Sequence, residues 1–355
     1  MEQILAQFRD QILAASHNQP LRIRGGGSKD WYGRHPVGDV LDTRAYAGIV
    51  NYDPTELVVT VRAGTKLTDV EQTLAAQNQM LAFEPPHFGA GATVGGMVAA
   101  GLSGPRRVAV GAVRDFVLGA ALMDGKGELL QFGGQVMKNV AGYDVSRLLA
   151  GSLGVLGLIL EVSLKVLPRP VAETTLRLQL TEEEAIRRLN EWGGKPLPIS
   201  ASAWCDGVLA VRLSGAQAAI VAARTAIGGE EMPDATDFWL ALREQRNAYF
   251  DRPGALWRLS VPSVAPQLNL DGEQLIEWGG AQRWLHVADA SPQFAQIVRD
   301  AVTATGGHAT LFRGGDRDGE LFQPLAPAVA RIHHNLKSAF DPQRIFNPGR
   351  MYAQL

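Results

Sequence analysis

Apolar residues recur along this chain in short groups whose spacing changes from segment to segment. Ile4, Leu5, Phe8, Ile12 and Leu13 share one helical face. Residues 20–24 alternate like a short strand, and Leu41 and Ile49-Val50 suggest two more. DPTE at 53–56 reads as a turn, followed by a β-branched strand over 57–62. Thr68 and Glu71 have capping-box spacing and predict a helix to about Gln77. Residues 117–123 and 128–132 flank DGKG at 124–127, which predicts a hairpin. A short helix over 145–150 and a strand over 158–167 follow.

PRP at 168–170 marks a boundary, and the second half alternates differently. A strand is predicted over 175–180, then a helix capped by Thr181 and ending at Trp192. Residues 199–204 and 208–213 flank Asp206-Gly207, a second hairpin signal, and 216–227 is an alanine-rich helix. Further strands are predicted at 256–261, 274–278, 283–287 and 308–312, with helices at 292–304 and 326–340. Hairpin strands interleaved with helices predict an antiparallel sheet covered on one face.

Three glycine-rich stretches interrupt the first half: RGGGSK at 24–29, GATVGGMVAAGLSGPRR at 91–107 and GSLGVLG at 151–157. Glycine carries a large entropic cost on folding, so such runs suit backbone that must approach something closely and aim bare N–H groups at an anion. Together they suggest one large phosphate-bearing cofactor gripped from several sides. A Rossmann fingerprint runs strand, glycines, helix; here Gly151, Gly154 and Gly157 follow a helix and precede a strand. A nicotinamide-type Rossmann domain is therefore disfavoured.

Composition narrows the picture further. At 355 residues, 46% hydrophobic and 20% charged, the chain is long enough for two domains. A net charge of −2 gives no reason to expect nucleic acid. One cysteine, Cys205, excludes internal disulfides and thiolate metal clusters and fits a reducing compartment. The N-terminus lacks a signal-peptide pattern and no apolar run spans a bilayer, so the expected location is the cytoplasm, with any inner-membrane attachment made through partners.

The glycine stretches, with Arg114-Asp115, MKNVAGYD at 137–144, EWGGA at 277–281 and FDPQRIFNPGR at 340–350, resemble the vanillyl-alcohol-oxidase (PCMH) type of FAD-binding family. The likeness is to its D-2-hydroxyacid dehydrogenase branch, and nearly the whole chain is similar to the small FAD-binding subunits of bacterial glycolate oxidases. The resemblance implies an α+β fold: a PCMH-type FAD-binding domain of two α+β subdomains over 1–168, an antiparallel-sheet α+β cap over 169–325, and a C-terminal helix and tail, 326–355, returning to the FAD domain. It implies FAD contacts from Arg24, Gly25, Gly26, Gly27, Ser28 and Lys29, from Pro86, Thr93, Gly95, Gly96, Gly101, Gly104 and Asp115, and from Gly151, Gly154, Val155, Gly157, Ile159 and Asn347. Relatives that attach FAD covalently in the first loop carry histidine where Ser28 stands, so non-covalent FAD is expected.

Oxidation of a 2-hydroxy acid needs a cation for the carboxylate and a base for the hydroxyl proton. Arg258, Arg283 and Arg313 are candidate cations; His87, His286, His308 and the pair His333-His334 are candidate bases, with Arg258, Arg283 and His308 preferred. No metal site is expected. Relatives that catalyse this oxidation carry histidine-rich signatures in the cap, of which this chain keeps one histidine, His308. Two readings stay open: a glycolate-oxidising subunit, or an FAD-carrying relay or assembly subunit beside a larger FAD-binding subunit and an iron–sulfur subunit. A stand-alone UDP-sugar reductase on a related fold is a distant third.

Overall fold

The computed structural model describes residues 1–134, 143–288 and 291–355. The motif residues Met137, Lys138, Asn139, Val140, Ala141 and Gly142 lie outside the described residues.

The first half is built on a five-stranded antiparallel sheet. Its order is Ile49–Asp53, Val58–Arg62, Leu158–Lys165, Val117–Met123 and Leu129–Gly133. Helices Leu67–Ala76 and Val94–Ala100 bury Leu67, Val70, Leu74, Val94, Met97 and Val98 in its core. A smaller unit places helix Glu2–Ala14 against the parallel pair Leu21–Arg24 and Asp39–Asp42, with Phe8, Ile12, Leu21 and Leu41 buried. The C-terminus closes this unit: Leu21 N–H donates to Ile345 O and Asn347 N–H to Leu21 O. Two α+β subdomains thus stand side by side.

The chain leaves the five-stranded sheet at Lys165 and enters a second one at Ala172. That sheet has eight antiparallel strands in the order Glu230–Glu231, Ala172–Gln179, Val208–Gly215, Ile199–Cys205, Glu273–Glu277, Gln282–Val287, Ala255–Ser260 and His308–Arg313. Helices Glu182–Gly193, Gln217–Ile227 and Pro292–Ala304 cover one face through two apolar cores. The other face presents Leu256, Trp284 and Phe312 to Tyr32, Ala100 and Leu102 of the first half. Alternation along each strand divides the two faces, and the chemistry lies on the one facing the first half.

Three local expectations are corrected. Thr68 is not a cap: its hydroxyl turns to Asp69, and the helix starts at Leu67, whose N–H is taken by Ala92 O. The central glycine stretch is not all loop. Thr93 accepts from Gly96 N–H at 3.3 Å and opens helix Val94–Ala100, and Gly101 ends it at φ 66°. Its glycines allow close packing, because a Cβ on Gly95 would stand 2.7 Å from Ala63 Cβ. Helix Ala235–Arg243 was not anticipated; its apolar residues run together over 238–242, and only Trp239 and Leu242 of them are buried, so no clear helical period shows in sequence.

Candidate functional site

A cleft of about 770 Å³ opens between the glycine stretches. Arg24, Gly25, Gly26, Gly27, Ser28 and Lys29 line one wall, and Thr93, Gly95 and Gly96 the next. Gly154, Gly157, Ile159 and Asn347 line the third. The first loop leaves its strand at Arg24 and turns at Gly27, φ 72°. A side chain on Gly26 would overlap the carbonyl of Gly91, so only glycine lets these two backbones touch. The N–H groups of Gly26, Gly27, Ser28 and Lys29 donate to no backbone carbonyl. These half-buried amides line the cleft without a protein acceptor, so the row fits the oxygens of a pyrophosphate.

The loop is held by side chains at the cleft wall and behind it. Asp30 pairs with Arg24 at 2.8 Å and Arg22 at 3.1 Å. Lys29 Nζ donates to His87 O at 3.1 Å, and burial draws its pKa down to about 8 against the pull of Glu244. Arg350 donates to Asp30 O at 2.9 Å and to Arg34 O, and burial brings its pKa down to about 10. Asn347 accepts from Ile23 N–H at 2.8 Å and donates to Leu153 O at 2.6 Å, so its amide joins the first loop to the third.

Six of the sequence-based cofactor residues do not line this cleft. Asp115 accepts from Ala112 N–H and pairs with Arg147, which makes it a local cap. Gly101 and Gly151 pack backbone to backbone: a Cβ on Gly101 would lie 2.6 Å from Gly151 Cα. Val155 is buried, and its carbonyl accepts from Lys337. Pro86 and Gly104 line a second cavity. The residues the sequence reading missed are Ile23, Asp30, Thr43, Ala63, Ala99, Ala100, Leu153 and Arg350. The small apolar ones carry no sequence signal. Arg350 closes the FDPQRIFNPGR motif, which was the available clue.

The second cavity, about 340 Å³, lies between the Leu102–Pro105 backbone and the cap sheet. Arg258 reaches it from strand Ala255–Ser260, Glu277 and Gln282 from the next two, and Phe88, Trp284 and Phe312 are its aromatic walls. Arg258 Nε donates to Gln282 Oε1 at 2.7 Å, and Gln282 Nε2 donates to Glu277 Oε2 at 3.0 Å. Arg107 stacks over Trp278 at 4.2 Å and Arg258 over the same ring at 5.4 Å. Burial, then Arg258 nearby, lowers the Arg107 pKa to about 10. His308 stands at the start of its strand, and partial desolvation, then Arg258 and Arg107, hold its pKa below the usual value.

The expectation for Arg283 is corrected. It has no exposed surface, and its guanidinium is consumed by the carbonyls of Ala265, Pro266 and Gly280, because its strand turns it into the helix-covered face. Of the other candidates, Arg313 donates to Gln245 and stacks over Trp31, His87 bonds Glu71, and His286 faces Arg252 O. Among the described residues no group of three His, Cys, Asp or Glu could hold a metal ion.

Residues 12–133 match a family model described as an FAD binding domain. The chain is 52% identical over 342 residues to the glycolate oxidase subunit GlcE of Escherichia coli K12, covering 96% of this chain and 95% of that one. It is 32% identical over 166 residues to the glycolate oxidase subunit GlcD of Bacillus subtilis, covering 46% of this chain and 35% of that one. A D-lactate dehydrogenase of Archaeoglobus fulgidus is 34% identical over 185 residues, covering 51% of this chain and 41% of its own. A solved alkyldihydroxyacetonephosphate synthase shares the fold with TM-score 0.67 at 15% identity, over 98% of this chain and 74% of its own.

Proposed function

The chain belongs to the family of FAD-binding glycolate oxidase subunits, and from that premise we propose that it is the FAD-carrying subunit of a complex that oxidises glycolate or a similar D-2-hydroxy acid. The observation that carries the proposal is the cleft, where three glycine stretches converge on a row of unpartnered amides, in a chain whose likeness to a glycolate oxidase subunit spans nearly its whole length. The amides of Gly26, Gly27, Ser28 and Lys29 hold the pyrophosphate, with Thr93 and Gly96 opposite. When bound, FAD supplies the two-electron acceptor. Arg258 offers its guanidinium to a carboxylate, and the aromatic walls of the second cavity exclude water around it. Ser28 lacks a basic nitrogen, so FAD is held without a covalent bond. Acid precipitation of the purified chain should release all yellow colour into the supernatant; colour kept by the pellet overturns this point.

A second reading rests on a specific observation: no described cluster can hold a metal ion, and of the two cap histidines His286 bonds Arg252 O, which leaves His308 near Arg258. On it the chain relays electrons or supports assembly, with substrate chemistry on a larger FAD-binding subunit and electrons leaving through an iron–sulfur subunit. Among the described residues no helix is long and apolar enough to cross a membrane, so membrane attachment would be made through such partners. Anaerobic glycolate added to the single chain separates the readings. Bleached flavin supports chemistry here. Flavin that stays oxidised in the single chain, but bleaches in the reconstituted complex, supports the relay.

A further inference from the structure

Glu277 is the one carboxyl group on the wall of the second cavity, and it is 5% exposed. Its side chain is fixed on one side only. Oε2 accepts from Trp284 Nε1 at 2.6 Å and from Gln282 Nε2 at 3.0 Å. Gln282 in turn holds Arg258, and Arg258 reaches Tyr32, three residues beyond Lys29. A chain of polar contacts thus runs from the first glycine loop to Glu277. Ala99 and Ala100 line the cofactor cleft and Leu102 to Pro105 line the second cavity, so one short segment separates the two. The charged groups facing Glu277 are Arg258, two strands away across Gln282–Val287, and Glu84 from the first half.

A buried carboxyl beside a half-buried cation is costly unless both find partners. Here Oε1 of Glu277 receives no protein donor, and Arg258, whose Nε is taken by Gln282, lines the cavity beside Tyr32. An anion that also carries a hydrogen-bond donor next to its carboxylate would satisfy both. Its carboxylate meets Arg258, and its donor meets Oε1. We infer that this cavity binds a short-chain 2-hydroxy carboxylate, with Arg258 taking the carboxylate and Glu277 Oε1 accepting the hydroxyl hydrogen. The inference rests on the function proposed above and deepens it: Glu277, absent from the sequence-based candidates, becomes the group that selects a hydroxy acid over the plain acid. Burial supports this placement, because it pushes the Glu277 carboxyl up to about 7, into the range where it can accept a proton near neutral pH.

The test uses the FAD-loaded chain and two acids that the flavin does not oxidise. Oxamate carries an N–H donor beside its carboxylate; acetate carries none. Quenching of Trp278 and Trp284 fluorescence, or calorimetry, reads binding. In Glu277→Gln the amide oxygen must stay where Trp284 donates, so the NH₂ group takes the place of Oε1 and turns an acceptor into a donor. Oxamate affinity should fall about 10-fold or more in this variant, while acetate affinity changes less than about 2-fold. Arg258→Met should weaken both acids by a similar large factor. Flavin content is measured first on the same samples. Wild-type chain that keeps its flavin but binds no oxamate, or oxamate binding indifferent to both substitutions, overturns the cavity assignment and leaves the FAD-subunit reading standing. Wild-type chain that folds without flavin overturns that reading and this inference with it.

Discussion

At the residue scale, Glu277 shows what a buried reactive group costs the fold. Its folded pKa, about 7, lies above the ordinary 4.5, because burial disfavours the charged form more than Trp284, Gln282 and Arg258 favour it. A raised acid binds its proton more tightly when folded. The favourable contribution is therefore complete below about pH 4.5 and disappears as pH rises through about 7. Glu277→Gln keeps the acceptor for Trp284 and never ionises. It should be more stable than wild type at pH 8, by as much as about 3 kcal/mol, and equal to it near pH 4.5. Urea unfolding at the two pH values measures this, and equal stabilities at pH 8 would contradict it. Gly95 and Gly96 make a second contrast. A Cβ on Gly96 meets only Thr93 Oγ1, at 3.2 Å, whereas one on Gly95 meets Ala63 Cβ at 2.7 Å. Gly96→Val should fold and lose FAD, since its branches enter the cleft; Gly95→Val should lower thermal stability as well. Stoichiometric flavin in a folded Gly96→Val would remove that wall from the cofactor site.

At the element scale, the C-terminal helix Pro327–Phe340 is anchored by an unusual residue. Lys337 is 1% exposed and Asp341 is fully buried, 2.7 Å apart. Lys337 Nζ also donates to Val155 O and Phe346 O, each at 2.8 Å, and Asp341 accepts from Ile345 N–H and Phe346 N–H. Every donor and acceptor of the pair is used, which offsets the cost of burying two charges. The pair fastens the third glycine stretch to the segment that places Asn347. Lys337→Met leaves the Asp341 carboxylate without its cation and should destabilise the chain by about 3–5 kcal/mol. FAD should also dissociate faster, because the Val155 carbonyl is released. The double variant Lys337→Met/Asp341→Asn should recover part of the stability. A single variant with an unchanged melting temperature would show the pair to be dispensable.

At the scale of the whole molecule, the two halves are joined by ion pairs of two buried arginines as well as by aromatic packing. Arg212 of the cap is 4% exposed and bonds Glu84 of the first half at 2.9 Å; Arg106 bonds Glu84 at 3.3 Å and Glu173 of the cap at 2.7 Å. Each carboxylate meets a cation from the other half, so the docking has one geometry in which all four charges are paired. Arg212 also lies over the Trp239 ring at 5.0 Å. Arg212→Met should loosen the cap, lower the melting temperature and speed trypsin cleavage after Lys165, where the chain leaves the first sheet. Cleavage at the wild-type rate would mean that the aromatic contacts alone hold the halves together.

The glycine stretches, the strand–turn–strand hairpins and the Thr181 cap were legible in the sequence because each depends on its own few residues. Asp124 accepting from Lys126 and Glu128 N–H, and Thr181 accepting from Glu184 N–H, are local bonds that leave a local mark. The first loop was legible for the same reason: RGGGSK carries its purpose in its composition. What decides the second cavity is long-range. Arg258, Glu277, Gln282 and Trp284 come from three strands whose order in the sheet is set by pairing, and pairing partners leave no periodic signal. Strand alternation also separated the two cap arginines. One step of register turns Arg258 toward the first half and Arg283 toward the helices, where carbonyls absorb it. The sequence by itself determined which local segments could bind an anion; only the packing of two sheets against each other determined which charged side chains face it.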